Sequence, residues 1–211
     1  MQFKVCVMNK KVTADLAHIK EMMERSSRFI SLSGLSGIGA GIVGLFTGII
    51  AIYIIGDNEI VVEGSQMANS SSTMVQSIVG LGVLAMLMAI FVACVFTIRK
   101  SKKLGLKIWT STTKRVLIQL TIPLLAGGIF LLVLLQHSLY GLIAGTTLVF
   151  YGLALINVEK YTFSELKYLG ILEIFLGVLA LFWIENGLIF WTIGFGVLHI
   201  IYGVILYKKH Q

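Results

Sequence analysis

Two ionisable side chains sit in stretches where an ionisable side chain is costly. Glu173 interrupts the apolar run LGILEIFLG (169–177), and His199 lies within GFGVLHIIYG (194–203). A carboxylate and an imidazole in contact within a low dielectric alter each other's proton affinity and can share a proton. Glu173 precedes a turn centred on Glu185 and Asn186 by about twelve residues, and His199 follows it by about thirteen. In an antiparallel helical hairpin rising about 1.5 Å per residue, the two fall at nearly the same depth. The pair is then either a proton-binding or relay site, or a structural pair that fixes the hairpin's register, with Glu173 close enough to the surface to reach water.

The elements that must position this pair are legible from composition. Of 211 residues, 57% are hydrophobic and 13% charged, and the mean hydropathy is +0.92, above what a soluble domain carries. A hydrocarbon core roughly 30 Å thick is crossed by about 20 apolar residues. Six such stretches occur, at 31–55, 74–98, 116–135, 139–156, 168–184 and 188–207. The expected fold is an all-α bundle of six transmembrane helices, spanning 31–207 between a cytoplasmic segment, 1–30, and a short tail, 208–211.

Charge placement orients this bundle. Of the 17 Lys and Arg, six precede span one and seven lie between spans two and three. Lys160 and Lys167 lie between spans four and five, and Lys208 and Lys209 follow span six. The opposite loops carry only acidic charges: Asp57, Glu59, Glu63 and Glu185. Cationic loops stay in the cytoplasm, so both termini are expected there, in a bacterial inner membrane. Arg99, Lys100, Lys102, Lys103, Lys107 and Trp109 are expected at the lipid headgroups. The net charge of +7 thus reflects topology, and no nucleic-acid partner is implied.

Residues 13–29, TADLAHIKEMMERSSRF, read as an amphipathic helix with Thr13 as N-cap, lying on the membrane surface or packing on the bundle. In span one, Gly34, Gly37, Gly41, Gly44 and Gly48 share one helix face at about 100° per residue. Such a face admits close approach of another helix, from the same chain or from a second copy. Gly39–Gly44 formally matches a dinucleotide fingerprint but lacks the soluble strand–turn–helix setting that motif requires. Pro123, in span three, is expected to bend that helix and free a carbonyl near Gln119. Span four ends Gly145-x5-Tyr151-Gly152 and span six contains Gly196-x5-Tyr202-Gly203. That recurrence suggests that spans three–four and five–six are copies of one hairpin.

EMMERSSRFISLSGLSGI (21–38), YLGILEIFLGVLALF and FGVLHIIYG resemble a group of uncharacterised bacterial polytopic membrane proteins, a likeness that covers most of the chain and implies no activity. The last hairpin, GILEIFLGVLALF with GFGVLHIIYGVIL, also resembles the repeated hairpin of HdeD-like acid-resistance membrane proteins, although Glu185-Asn186-Gly187 replaces the proline usual at that turn.

No His, Cys, Asp and Glu cluster has metal-ligand spacing, no serine has a base and orienting acid, and no phosphate-binding loop occurs, so neither an enzyme nor a cofactor is expected. Cys6 and Cys94 read as free thiols. Two functions remain. The first is a membrane protein acting through helix association with lipid, a second copy or another membrane protein, as a partner, scaffold or stress-linked component. The second is a small proton-linked transporter or channel using Glu173 and His199.

Overall fold

The computed structural model describes residues 33–57, 62–63, 66–67 and 72–210; the amphipathic segment 13–29 lies outside them. Among the described residues the chain is helical apart from one two-residue antiparallel ladder. Helix α1 is Gly34–Asp57, α2 Ser72–Lys103, α3 Ser111–Gln136, α4 Ile143–Val158 and α5 Glu165–Phe182. Helix α6 covers 187–210 in three consecutive parts: Gly187–Thr192, a π-helical stretch Ile193–Leu198, and His199–His210. In the ladder between α1 and α2, Val62 faces Met67 and Glu63 faces Gln66.

Five segments are long and apolar enough to cross a membrane: Gly34–Ile55, Gln76–Lys103, Ser111–Gln136, Tyr140–Tyr161 and Ile184–Lys209. The chain is therefore a multi-pass membrane protein by length and composition. Helix α5 is not among the five. It has only 18 residues, and Glu165, Lys167 and Glu173 all fall within it.

Local sequence sets the helix ends. The Thr110 hydroxyl oxygen accepts a bond from the Thr113 amide at 3.1 Å, capping the start of α3. At its far end the chain reverses through Ser138, whose φ of 57° is left-handed. Helix α3 is continuous through the buried Pro123, and α6 contains an irregular, π-helical turn.

The helices pack in the order α2–α1–α6–α5–α4–α3, and two of these contacts are backbone against backbone. A Cβ on Gly152 would stand 2.5 Å from the Gly170 carbonyl oxygen, and one on Gly177 would stand 2.8 Å from that of Gly145. Helices α4 and α5 are thus locked antiparallel by two glycine pairs. Helices α1 and α6 repeat the arrangement: a Cβ on Gly34 would meet Gly203, one on Gly41 or Gly44 would meet Gly196, and one on Gly48 would meet Thr192. Both G-x5-YG motifs therefore serve as docking seams, and the glycine face of α1 is covered by α6 of the same chain.

Below these seams, Leu155, Val158, Leu166, Leu169, Tyr202 and Leu206 form a cluster where α4 ends, α5 begins and α6 ends. Helices α2 and α3 close the two ends of the row, and many of their apolar side chains, such as Phe91, Ile118 and Leu132, are exposed. Such exposure suits a surface whose solvent is lipid.

Gly152→Ala and Gly203→Ala, which would force backbones apart, should each lower unfolding free energy by about 1–3 kcal/mol. Gly80→Ala and Gly128→Ala, whose added methyls meet nothing within 4 Å, should leave it unchanged or slightly raised. Unfolding by denaturing detergent, followed by circular dichroism, measures all four.

Candidate functional site

Glu173 is carried near the middle of α5, four residues beyond Leu169 on the face turned to the core. It is fully buried. Helix α6 offers two adjacent stripes: Gly196, Ile200 and Gly203 toward α1, and His199, Tyr202 and Leu206 toward α4 and α5. His199 is 5% exposed, and its Nδ1 lies 3.3 Å from Glu173 Oε1. The two residues at matching distances from the turn are thus in contact.

The contact is not a hydrogen bond. Nδ1 also lies 2.9 Å from the Gly194 carbonyl oxygen, and a carbonyl only accepts, so Nδ1 carries a hydrogen and donates it there. Both Glu173 oxygens are left without a hydrogen-bond partner. On the other side of the ring, Nε2 is 2.8 Å from the Tyr151 hydroxyl. In the neutral ring Nε2 accepts from Tyr151; in the imidazolium its N–H donates to the tyrosine oxygen.

The π turn is part of this geometry. Its sequence, Ile193-Gly-Phe-Gly-Val-Leu198, contains two glycines, and the Gly194 carbonyl is bonded to a side chain five residues ahead. A side chain inserted into the helical ladder is one recognised cause of such irregularity, and π turns recur at functional sites. Gly194 also makes room for the acid: a Cβ there would stand 2.6 Å from Glu173 Oε2 and 2.5 Å from a Leu148 methyl. Aromatic rings close the surroundings. Phe195 is 5.8 Å from His199 in stacked geometry, 5.0 Å from Tyr151 and 4.9 Å from Trp191, centroid to centroid. The polar trio of Glu173, His199 and Tyr151 is enclosed by apolar side chains.

Chemically, the trio holds protons. A lone carboxylate so buried costs several kcal/mol. The pair becomes neutral overall either as carboxylate with imidazolium or as carboxylic acid with imidazole. Among the described residues no group of three or more His, Cys, Asp and Glu stands ready for a metal.

Other residues singled out in the sequence lie elsewhere. Arg99, Lys102, Lys103, Lys107 and Trp109 are exposed around the α2–α3 connection and Lys100 is half-buried; the Lys114 ammonium lies 5.9 Å over the Trp109 ring. His137 is exposed in the turn after α3 and Cys94 is a free, exposed thiol, while Cys6 lies outside the described residues. A groove of about 250 Å³ between α1 and α2 is lined by Ile42, Phe46, Ile50, Leu84 and Met88 among others, and not by Glu173 or His199.

The sequence pointed to Tyr151 only as a repeat residue, and to neither Gly194 nor Phe195. A signal for Tyr151 existed: it occupies the first G-x5-YG motif and His199 the second, three residues from the matching position, so equal use of the motifs puts the two within about one helical turn in depth. No family model, curated protein or solved structure matches the chain, and the resemblances seen in the sequence gain no support from them.

Gly194→Ala should lower stability by about 1–3 kcal/mol by overpacking. In a Glu173→Ala background that loss should shrink by at least about 0.5 kcal/mol, because the clashing oxygen is gone. A double-mutant cycle of unfolding free energies measures the coupling.

Proposed function

We propose that the chain is an integral membrane protein of six spans that moves a small solute coupled to protons, with the proton held by Glu173, His199 and Tyr151. The observation that carries this reading is the fully buried Glu173 carboxyl, 3.3 Å from an imidazole and lacking a hydrogen-bond partner. An ionisable group at membrane depth is retained against its cost when the protein uses it.

Proton position and helix shape are linked in this site. When the Nδ1 proton passes to Glu173, His199 no longer donates to Gly194, and the π turn loses the side-chain bond to that carbonyl. A hydrogen bond of this kind is worth about 0.5–1.5 kcal/mol, so its loss shifts the balance of α6 toward another arrangement. A protonation event is thereby converted into movement of the helix that packs against α1. The site as described is closed, and that movement is what opens it.

Helix α5 is the sixth span in this reading. Its glycine pairs with α4 set it alongside Tyr140–Tyr161, itself long and apolar enough to cross, and Glu173, one of its three charges, is neutralised inside the bundle. Both termini are then cytoplasmic, as the basic loops require. Two same-orientation hairpins, α3–α4 and α5–α6, meet at the proton site, as repeats do in transporters. Lipid is the partner of the outward faces of α2 and α3. The alternative, function through association at the glycine face of α1, loses that ground because α6 covers the face.

Two measurements test this reading. Single cysteines at Ser164 and Lys208, in a background lacking Cys6 and Cys94, should react with an impermeant thiol reagent only from the cytoplasm, and one at Glu185 only from the other side. Ser164 and Glu185 reacting from one side would remove α5 as a span. The infrared band of a protonated carboxyl should titrate in the purified protein and vanish in Glu173→Gln. A wild-type protein without such a band, or a Glu173→Gln variant that retains it, would overturn the proton site.

A further inference from the structure

The polar atoms around Glu173 are rich in acceptors and short of donors. Both carboxyl oxygens are buried without a hydrogen-bond partner, and a carboxylate accepts at about four lone-pair sites. The nearby donors are engaged elsewhere: the Nδ1 hydrogen of His199 goes to the Gly194 carbonyl, and the Tyr151 hydroxyl is bonded to Nε2. Every Lys and Arg among the described residues lies at a helix end or in a connection, at 99–115, 160, 167, 208 or 209. An anion entering this site would therefore meet acceptors and negative charge. A solute that displaces the site's proton must replace its positive charge, since an uncompensated buried carboxylate is costly. A cation carrying N–H bonds supplies both the charge and the donors.

The neighbours of Oε2 restrict the solute's size. A Cβ on Gly194 would stand 2.6 Å from Oε2 and 2.5 Å from a methyl of Leu148, and Leu148 is fully buried. A group docking on Oε2 takes the place of helix backbone and one methyl, so it consists of a few heavy atoms. Phe195 stacks on His199, and Tyr151 and Trp191 lie against Phe195; such aromatic faces attract cations. Calcium and magnesium prefer six or more oxygens, against the two of Glu173 and those of Gly194 and Tyr151 here.

We infer that the solute is a small protonated amine, which binds Glu173 through its N–H bonds in exchange for the site's proton. The inference rests on the proton-binding reading of Glu173 and names the solute for it. The exchange balances. The proton-loaded pair is carboxylic acid with imidazole or carboxylate with imidazolium. When the ammonium group docks on the carboxylate, one proton leaves to water, from the acid or from the ring. Carboxylate, ammonium and neutral imidazole remain, and the site is again neutral. The titratable groups facing this exchange are His199 of α6 and Tyr151 of α4. Tyr202 lies about one turn further along α6, and on α5 itself Glu165 and Lys167 lie near its start, Glu165 paired with Lys209.

The test uses the full chain, purified in detergent, with choline chloride holding ionic strength constant and pH set at the midpoint of the Glu173 carboxyl titration. Replacing choline, which has no N–H bond, by methylammonium should diminish the infrared band of the protonated carboxyl and release protons to the medium. Each unit of pH below the midpoint should weaken apparent methylammonium affinity by about tenfold, as competition for one carboxylate requires. Glu173→Gln should show neither response. The pH dependence is read on the wild type, so it decides the matter even where Glu173→Gln does not fold. Sodium or potassium matching methylammonium would overturn the amine, and a response to acetate in its place would overturn a cationic solute. A carboxyl that titrates but ignores methylammonium overturns the inference and leaves the proton site standing. A wild-type protein with no titrating carboxyl overturns the site beneath it.

Discussion

Two helix backbones come into contact only where neither carries a side chain, and in a membrane little else drives helices together, since lipid is as apolar as leucine. The fold of this chain depends on that constraint at two seams. Gly145 and Gly152 against Gly177 and Gly170, and Gly196 and Gly203 against the glycines of α1, draw α4 to α5 and α6 to α1. Each glycine sits about two turns from the next in its motif, so the contact recurs along the seam instead of occurring at a single crossing. Once these distances are set, α6 lies against α5 and α4, which α3 covers from the other side, and the stripe holding His199 and Tyr202 is turned inward.

That geometry explains how a carboxyl is held where solvation is absent. Hydrogen bonds to His199 from two directions fix the ring: the Gly194 carbonyl on Nδ1 and the Tyr151 hydroxyl on Nε2. Each neutral bond contributes about 1 kcal/mol net, whereas an isolated buried ion costs several. Orientation alone therefore does not offset the burial of Glu173. Charge compensation by the ring, or a proton on the acid, must supply the difference. Either form of compensation places one proton between the carboxyl and the ring, whether the pair moves it or only holds the two helices together.

Much of this was legible in the sequence, and the exceptions have physical causes. Depth follows from residue count, because helical rise is nearly constant; hence Glu173 and His199 could be matched across the turn at Glu185. Azimuth is harder. The face on which His199 lies depends on the turn before it, and a π turn adds a residue that no periodic count foresees. Pro123 was legible as a residue that bends a helix and lies inside the continuous α3, while the glycines at 194 and 196, which drew no such attention, house the irregular turn. The small-residue face of α1 was readable from spacing; which helix covers it was not, because spacing carries no information about the partner. Helix α5 shows the converse case. Its three charges remove it from the apolar segments when α5 is taken alone, and only the tertiary partners of Glu165 and Glu173 show that two of them are met by cations or an imidazole.

The two motif tyrosines carry the last step. Tyr151 and Tyr202 each follow the first glycine of a G-x5-YG motif by six residues, and their neighbours differ. Position 199 follows the first glycine of its motif by three residues, and the residue at the same place in the other motif is Leu148, fully buried and apolar. Tyr151 therefore finds an imidazole across the boundary between the hairpins. Tyr202, at the outer boundary, finds a cluster of leucines.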